Sequence, residues 1–285
     1  MTAAERNARA VQIGMVGFHI ACLGAFFTGV SPVALLVCFV LYVARAFGVT
    51  AGFHRLLAHG AFKAGRVTQF GLTLLGSLAC QGGPLWWVSH HRNHHRYTET
   101  PRDIHSPQQR GFWYSHIGWM MDKACFETSA TNVKELHKFT EIKALQRFYP
   151  LILLLEAIAL FALGALLAHF YPGLGTSGVQ MLVWGFFIST VSLWHATFMV
   201  NSVCHIWGDQ AYDTNDRSTN NWIVATLTLG EGWHNNHHKF SYSARHGLEW
   251  WQLDVTWLVL RLMNQIGLIR DLKLPRQRAS ATAMA

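Results

Sequence analysis

The chain has 285 residues, of which 51% are apolar and only 13% charged. Soluble domains average about 25% charged residues, so an ordinary soluble globule is excluded. The 18 Phe and 12 Trp exclude a disordered chain. The net charge of +8 comes from thinly spread residues with no basic stripe, which argues against nucleic acid. Lipid headgroups, membrane topology or an anionic substrate handle explain the sign better. Histidine, at 17 residues, outnumbers Asp plus Glu at 15. Abundant imidazole in an apolar chain points to a membrane protein with a metal site.

After a polar N-terminus carrying Arg6 and Arg9, apolar runs cover 11–30 and 33–52, separated by Ser31-Pro32. Each approaches the roughly 20 residues that cross a bilayer as helix. A cleaved leader is rejected for the first run, because no small-residue cleavage pattern is present and a second span follows at once. A mostly polar stretch then runs from 53 to 148, interrupted by the patchy segment Val67–Val88, which reads as an in-plane or partly buried helix, or less simply as a further span. Spans at 149–170 and 180–200 follow, joined by YPGLGTSG. Arg45 and Glu156, each inside a span, are expected to face the bundle interior. The segment Trp250–Ile266 reads as an interfacial helix or as one packed on the polar region, and RQRASATAMA at the end reads as disordered.

Orientation follows from charge. Residues 53–147 contain 12 Lys or Arg and the stretch after 201 contains 8, whereas the two hairpin loops contain none. The positive-inside rule places both termini and both polar regions, 53–148 and 201–285, in the cytoplasm. The expected architecture is an all-α integral membrane protein: a single domain over 1–285 with four transmembrane helices in two hairpins and a cytosolic helical cap carrying a His-rich dimetal site. The five cysteines show no CxxC spacing and read as reduced packing residues, compatible with a reducing cytosol.

The histidines cluster in His54-Arg55-Leu56-Leu57-Ala58-His59, in His90-His91-Arg92-Asn93-His94-His95, and in His234-Asn235-Asn236-His237-His238 after Gly230-Glu231-Gly232-Trp233. On a helix, residues i, i+3 and i+4 share a face, so His91, His94 and His95 can converge, as can His234, His237 and His238. Asn201 and His205 lie one turn apart. His54 and His59, at i and i+5, diverge more, so they serve different metals or straddle a helix end. Imidazole suits Fe, Cu, Ni or Zn. Eight or nine such ligands exceed one ion, which implies two. The isolated His19, His137, His169, His195 and His246 read as packed or surface residues. His90, His105 and His116 suit supporting or substrate roles. Glu231 reads as a partner behind the ligands.

HRLLAH, HHRNHH and HNNHH resemble the three histidine boxes of membrane fatty-acyl desaturases, closest to the bacterial acyl-CoA Delta-9 (stearoyl-CoA-type) group. The resemblance covers most of residues 35–275 and extends to RYTETPRDIHSP, GFWYSHIGWMM, NSVCHIWG and GEGWHNNHH. It implies an O2-dependent enzyme that puts a cis double bond, at Delta-9, into an acyl-CoA or lipid-linked acyl chain at two Fe ions; zinc after overexpression would mark occupancy only. The implied ligands are His54, His59, His91, His94, His95, His205, His234, His237 and His238, with Asn201 acting through water. Gln81, Trp87, Thr197 and Phe198 match positions lining a bent acyl tunnel, and Arg92 and Lys123 match basic positions near coenzyme A. Ala124 stands where animal members carry a second basic residue, and His90 where they carry an acidic one. With no haem domain, iron–sulfur spacing or dinucleotide fingerprint in the sequence, electrons are expected from a ferredoxin or cytochrome b5-like carrier with its reductase, at a bacterial inner membrane. The competing readings are a di-iron alkane or lipid hydroxylase, told apart by its product, and a zinc-binding transporter or sensor, which would bury its ligands at the bilayer midplane.

Overall fold

A computed structural model describes residues 1–126 and 130–275; the terminal stretch expected to be disordered lies outside the described residues. The described chain is mostly helical, and four helices are long and apolar enough to cross a membrane: Ala3–Thr28, Pro32–Ala58, Tyr149–Phe170 and Gly178–His205. They are called spans 1 to 4 below. Thr2 and Glu5 close a capping box at the start of span 1. Ser31 caps span 2 with Pro32 at its first turn, and Ser177 accepts from Gln180 N at the start of span 4. These caps fix the two hairpin turns, which meet where Ser31 donates to Gln180 Oε1 (2.7 Å) and Trp184 Nε1 to the Gly29 carbonyl (2.9 Å).

Three of the spans outrun the apolar stretches read from sequence. Span 1 begins at Ala3 because the polar first turns carry a proper cap. Span 2 does not stop near residue 52 but continues through Gly48–Ala58 as π-helix, so His54 lies inside the helix. Span 4 likewise runs to His205, its last turn tightening to 3-10 geometry. The segment Val67–Val88 is not one in-plane helix. Helix Arg66–Ser77 ends before Gly82 and Gly83, and a new helix, Pro84–Tyr97, starts on proline at its first turn. Gly48 and Gly52 of span 2 let helix Arg66–Ser77 come close: a Cβ on Gly48 would sit 2.2 Å from Gly76 N.

The cap stands at the end of the bundle opposite the hairpin turns, around the ends of spans 2 and 4. Its core joins Phe53, Leu56 and Leu57 of span 2 to Leu72, Val88, Ile142 and Leu260. Strand Lys63–Ala64 pairs antiparallel with Ile269–Arg270, tying the last described segment to the exit of span 2. Helix Val255–Gln265, capped by Asp254, buries Thr256 and Leu260 while exposing Leu258 and Leu262. Thr256 meets Thr50 of span 2 at 2.8 Å. Of the two readings for this stretch, packing against the cap is therefore present, with an apolar outer face besides.

Inside the bundle, Arg45 of span 2 donates to Glu156 Oε1 of span 3 at 2.6 and 3.0 Å, and to Ser189 and Thr190 of span 4 at 2.6 and 2.9 Å. Both residues do face the interior, and the guanidinium links three spans.

Candidate metal centre

Nine histidines gather where spans 2 and 4 enter the cap, in two adjoining groups. In one, the ring nitrogens of His54, His59, His91, His95 and His237 all lie within 4.8 Å of one another; in the other, those of His94, His205, His234 and His238 do. The distribution departs from the convergence read off the sequence, because each HxxHH box is divided between the groups. Residues i and i+4 differ by only about 40° around a helix, whereas i+3 falls about 60° to the other side. His91 and His95 of helix Pro84–Tyr97 therefore go together, and His94 reaches the second group. Helix His234–Lys239 mirrors this, with His234 and His238 together and His237 crossing to the first.

His54 and His59 also share a group, contrary to the expectation that five residues of separation pull them apart. The reason is the π-helix: the backbone N–H of His59 donates to the carbonyl of His54 at 3.1 Å, an i to i+5 bond that stacks residues five apart.

The rings are held from behind by carboxylates. Nδ1 of His54 faces Glu231 at 2.6 Å, that of His94 faces Asp103 at 3.0 Å, that of His205 faces Glu99 at 3.4 Å, and that of His238 faces Asp216 at 2.8 Å. Only Glu231 stood out in the sequence. Glu99 and Asp103 were visible only as part of the motif RYTETPRDIHSP. Asp216 and His246, which lies 3.2 Å from Glu231, carried no local signal. Buried Arg55 bridges Glu231 and Asp254 at 3.0 Å each.

The donor set fits cations. Burial and neighbouring imidazoles hold the pKa values of His91, His95, His234 and His237 well below the ordinary value. Burial takes His238 down to about 4, against a smaller opposing pull from Asp216. Such rings are neutral near pH 7 and offer lone pairs. Burial alone would raise Glu231, but His54, His246 and Arg55 hold it well below the usual carboxylate range. A hydrogen on each Nδ1 directed at Asp103 or Asp216 would leave the Nε2 atoms of His94 and His238 bare and facing each other across 3.4 Å. Two facing lone pairs repel unless a cation lies between them. His205 and His234 face each other at 3.1 Å, and His54 and His237 at 3.1 Å. Four carboxylates behind the rings match the charge of two divalent ions, while Arg55 is offset by Asp254.

Asn201 lines a small cavity together with His54, His91, His94 and His234. A neighbouring narrow cavity of about 70 Å³ is lined by Gln81, Trp87, Thr197 and Phe198 with His91 and Asn201. Gln81 donates to Thr197 Oγ1 at 2.9 Å, and Trp87 stacks on His91 with centroids 5.0 Å apart. His90 and His105 border the same space. Beyond Trp86, Met120 and Phe198 lies a larger, mostly apolar cavity of about 450 Å³.

The two basic positions are placed differently. Arg92 donates to the carbonyls of Leu57 (2.8 Å), Ala58 (3.0 Å) and Asn132 (2.6 Å) and pairs with Glu135. Lys123 lines a separate recess with Glu5, Arg9 and Gln12.

Comparison with known proteins agrees with this geometry. The fatty acid desaturase family matches residues 31–265. An acyl-CoA 5-desaturase of Anemone leveillei is 44% identical over 265 residues, covering 92% of this chain and 78% of its own. A chloroplastic palmitoyl-monogalactosyldiacylglycerol delta-7 desaturase of Arabidopsis thaliana is 43% identical over 96% of this chain and 72% of its own. An sn-1 stearoyl-lipid 9-desaturase of Anabaena variabilis is 41% identical over 91% of each. With the family match covering both histidine groups and all but the first of the four spans, this chain belongs to the fatty acid desaturases.

Proposed function

We propose that this enzyme inserts a cis double bond at Delta-9 of a saturated acyl chain, with two irons held by the nine histidines. The observation that carries the reading is the pair of adjoining histidine groups beside a narrow cavity lined by Gln81, Trp87, Thr197 and Phe198. The overall reaction is R–CH2–CH2–R′ + O2 + 2 e⁻ + 2 H⁺ → R–CH=CH–R′ + 2 H2O. Two redox-active ions held there would activate O2, the oxidant, for attack on unactivated C–H bonds, which no side chain can do. In the first group His54, His59, His91, His95 and His237 would hold one ion, and in the second His94, His205, His234 and His238 the other, with Asn201 reaching in through water.

The chain's own residues orient the substrate. Trp87, Thr197 and Phe198 narrow the passage so that one pair of methylenes faces the histidines, and the Gln81–Thr197 hydrogen bond fixes that wall. Burial keeps bulk water away from the site. Lys123 stays in this reading as a basic position near a substrate headgroup, whereas Arg92 is committed to the Leu57, Ala58 and Asn132 carbonyls. Electrons come from a ferredoxin or cytochrome b5-like carrier with its reductase. The basic residues flanking the cap, set against uncharged hairpin turns, support a cytoplasmic site in a bacterial inner membrane.

Expression in a desaturase-deficient bacterial host with an electron-donor pair, followed by gas chromatography with mass detection, tests this. A new monounsaturated acid with its double bond at carbon 9 is expected. A hydroxylated acid would transfer the chain to hydroxylase chemistry, and an alkene elsewhere would overturn the Delta-9 position alone.

A further inference from the structure

Three histidines that stand apart in the sequence, His19, His116 and His195, meet inside the bundle. Nε2 of His19 in span 1 lies 3.0 Å from Nε2 of His195 in span 4. Nδ1 of His195 lies 2.9 Å from Nε2 of His116, at the end of the short helix Phe112–His116. Nδ1 of His116 reaches Ser202 Oγ at 3.0 Å, back on span 4, and Nδ1 of His19 faces the Met15 carbonyl at 2.7 Å. A carbonyl only accepts, so in neutral rings the hydrogens fall in one order. His19 donates from Nδ1 to Met15 and accepts at Nε2. His195 donates from Nε2 and accepts at Nδ1. His116 donates from Nε2 and accepts at Nδ1 from the Ser202 hydroxyl. Every ring nitrogen is then paired, as an apolar bundle requires of a polar group it encloses. None of the nine metal-facing histidines takes part.

The chain of rings closes on the stretch of span 4 that faces the metal centre. Thr197, Phe198 and Asn201 line the narrow cavity, and Gln81 holds Thr197 from the cavity side. His195 and Ser202 hold the same stretch from behind. Phe198 is buried and stands edge-on to the rings of His116 and His195, with centroids 5.9 and 6.3 Å apart. Its ring cannot swing without displacing them. Ser115, next to His116, donates to the Asn201 carbonyl at 3.0 Å. We propose that His116 and His195 are positioning residues: through Phe198 and residues 197–202 they set which pair of methylenes faces the histidine groups. The proposal rests on the desaturase reading above and names what fixes the site of the double bond. It also gives span 1 a part, because His19 anchors the far end of the chain from the one span outside the family match.

The test joins product analysis of the iron-loaded protein with nitrogen NMR of the zinc-loaded protein, both in lipid nanodiscs. With isotope-labelled histidine, ring-to-ring nitrogen correlations are expected across the 3.0 and 2.9 Å contacts, and His195→Leu should remove them. This reads the chain of rings whether or not any alkene forms. His195→Leu and His116→Phe should keep two ions by elemental analysis. Each should lower the ratio of the main alkene to its positional neighbours by about tenfold, since a misplacement of about 1 Å costs up to about a hundredfold in rate. His116→Asn, whose amide still accepts from Ser202, should restore most of the selectivity. Where either variant fails to insert, His19→Leu at the half-buried end of the chain carries the same test with a smaller change of the same sign. An unchanged double-bond position in the metal-loaded variants would overturn the positioning role, as would a wild type without the nitrogen correlations. Correlations present in a wild type that makes no alkene would instead defeat the reaction reading and leave the clamp on span 4 standing.

Discussion

Glu231 Oε2 lies 2.6 Å from Nδ1 of His54, while Oε1 of the same carboxylate receives the buried Arg55 guanidinium at 3.0 Å. One side chain thus orients a metal-facing ring and anchors it to a fixed cation. Glu231→Gln preserves size but removes the charge. Metal affinity is expected to fall by about 10–100-fold, the usual effect of losing a partner behind a ligand. Chelator competition monitored by metal content measures this directly, and unchanged affinity would contradict the role.

The division of each HxxHH box makes a stoichiometric prediction. His91→Ala removes a ring from the first group, and His234→Ala removes one from the second. Each variant should retain the ion of the untouched group, and the double variant should retain neither. Elemental analysis of the purified proteins decides it; loss of both ions in each single variant would mean that the groups act as one site.

Acid should destabilise the metal-free cap. An unfolded histidine takes up its proton near pH 6.5, whereas His91, His95, His234 and His237 stay neutral well below that and His238 down to about 4. The unfolded chain therefore binds more protons across this window, and stability falls as pH falls through it. The lowered pKa values of Asp103, Asp216 and Glu231 act with the same sign at lower pH. The melting temperature of chelator-treated protein should drop steadily on acidification from neutrality, and a rise would contradict neutral buried rings.

Arg45 and Glu156 give a prediction far from the metals. Glu156→Ala strands a buried guanidinium, at a cost of about 3–5 kcal/mol. Replacing both partners, Arg45→Met with Glu156→Leu, should recover most of that loss, because neither charge is then left alone. Thermal unfolding in detergent compares the two, and equal destabilisation would show that Arg45 matters chiefly through Ser189 and Thr190.

Much of this was legible because long apolar runs and clustered imidazoles are local signals. The four spans, the hairpin pairing and the three histidine clusters follow from them, whereas His205, isolated in the sequence, is marked as a ligand only by the family resemblance. Which histidines share an ion was not legible. That depends on helix phase and on a π-helix at Gly48–Ala58, for which the sequence of span 2 offers no marker. The carboxylates behind the rings escaped for a related reason. Glu99, Asp103 and Asp216 sit in irregular segments with no periodicity, and only tertiary folding brings them to His205, His94 and His238. Arg92 looked like a free cation in a histidine-rich helix, but it caps the carbonyls at the end of span 2.

The measurement that bears most directly on the account is iron stoichiometry and product formation in one sample of reconstituted protein. Two irons per chain, with alkene formed only when O2 and reductant are both supplied, is the expected result. A single iron per fully active chain, or alkene formed by protein stripped of metal, would contradict it.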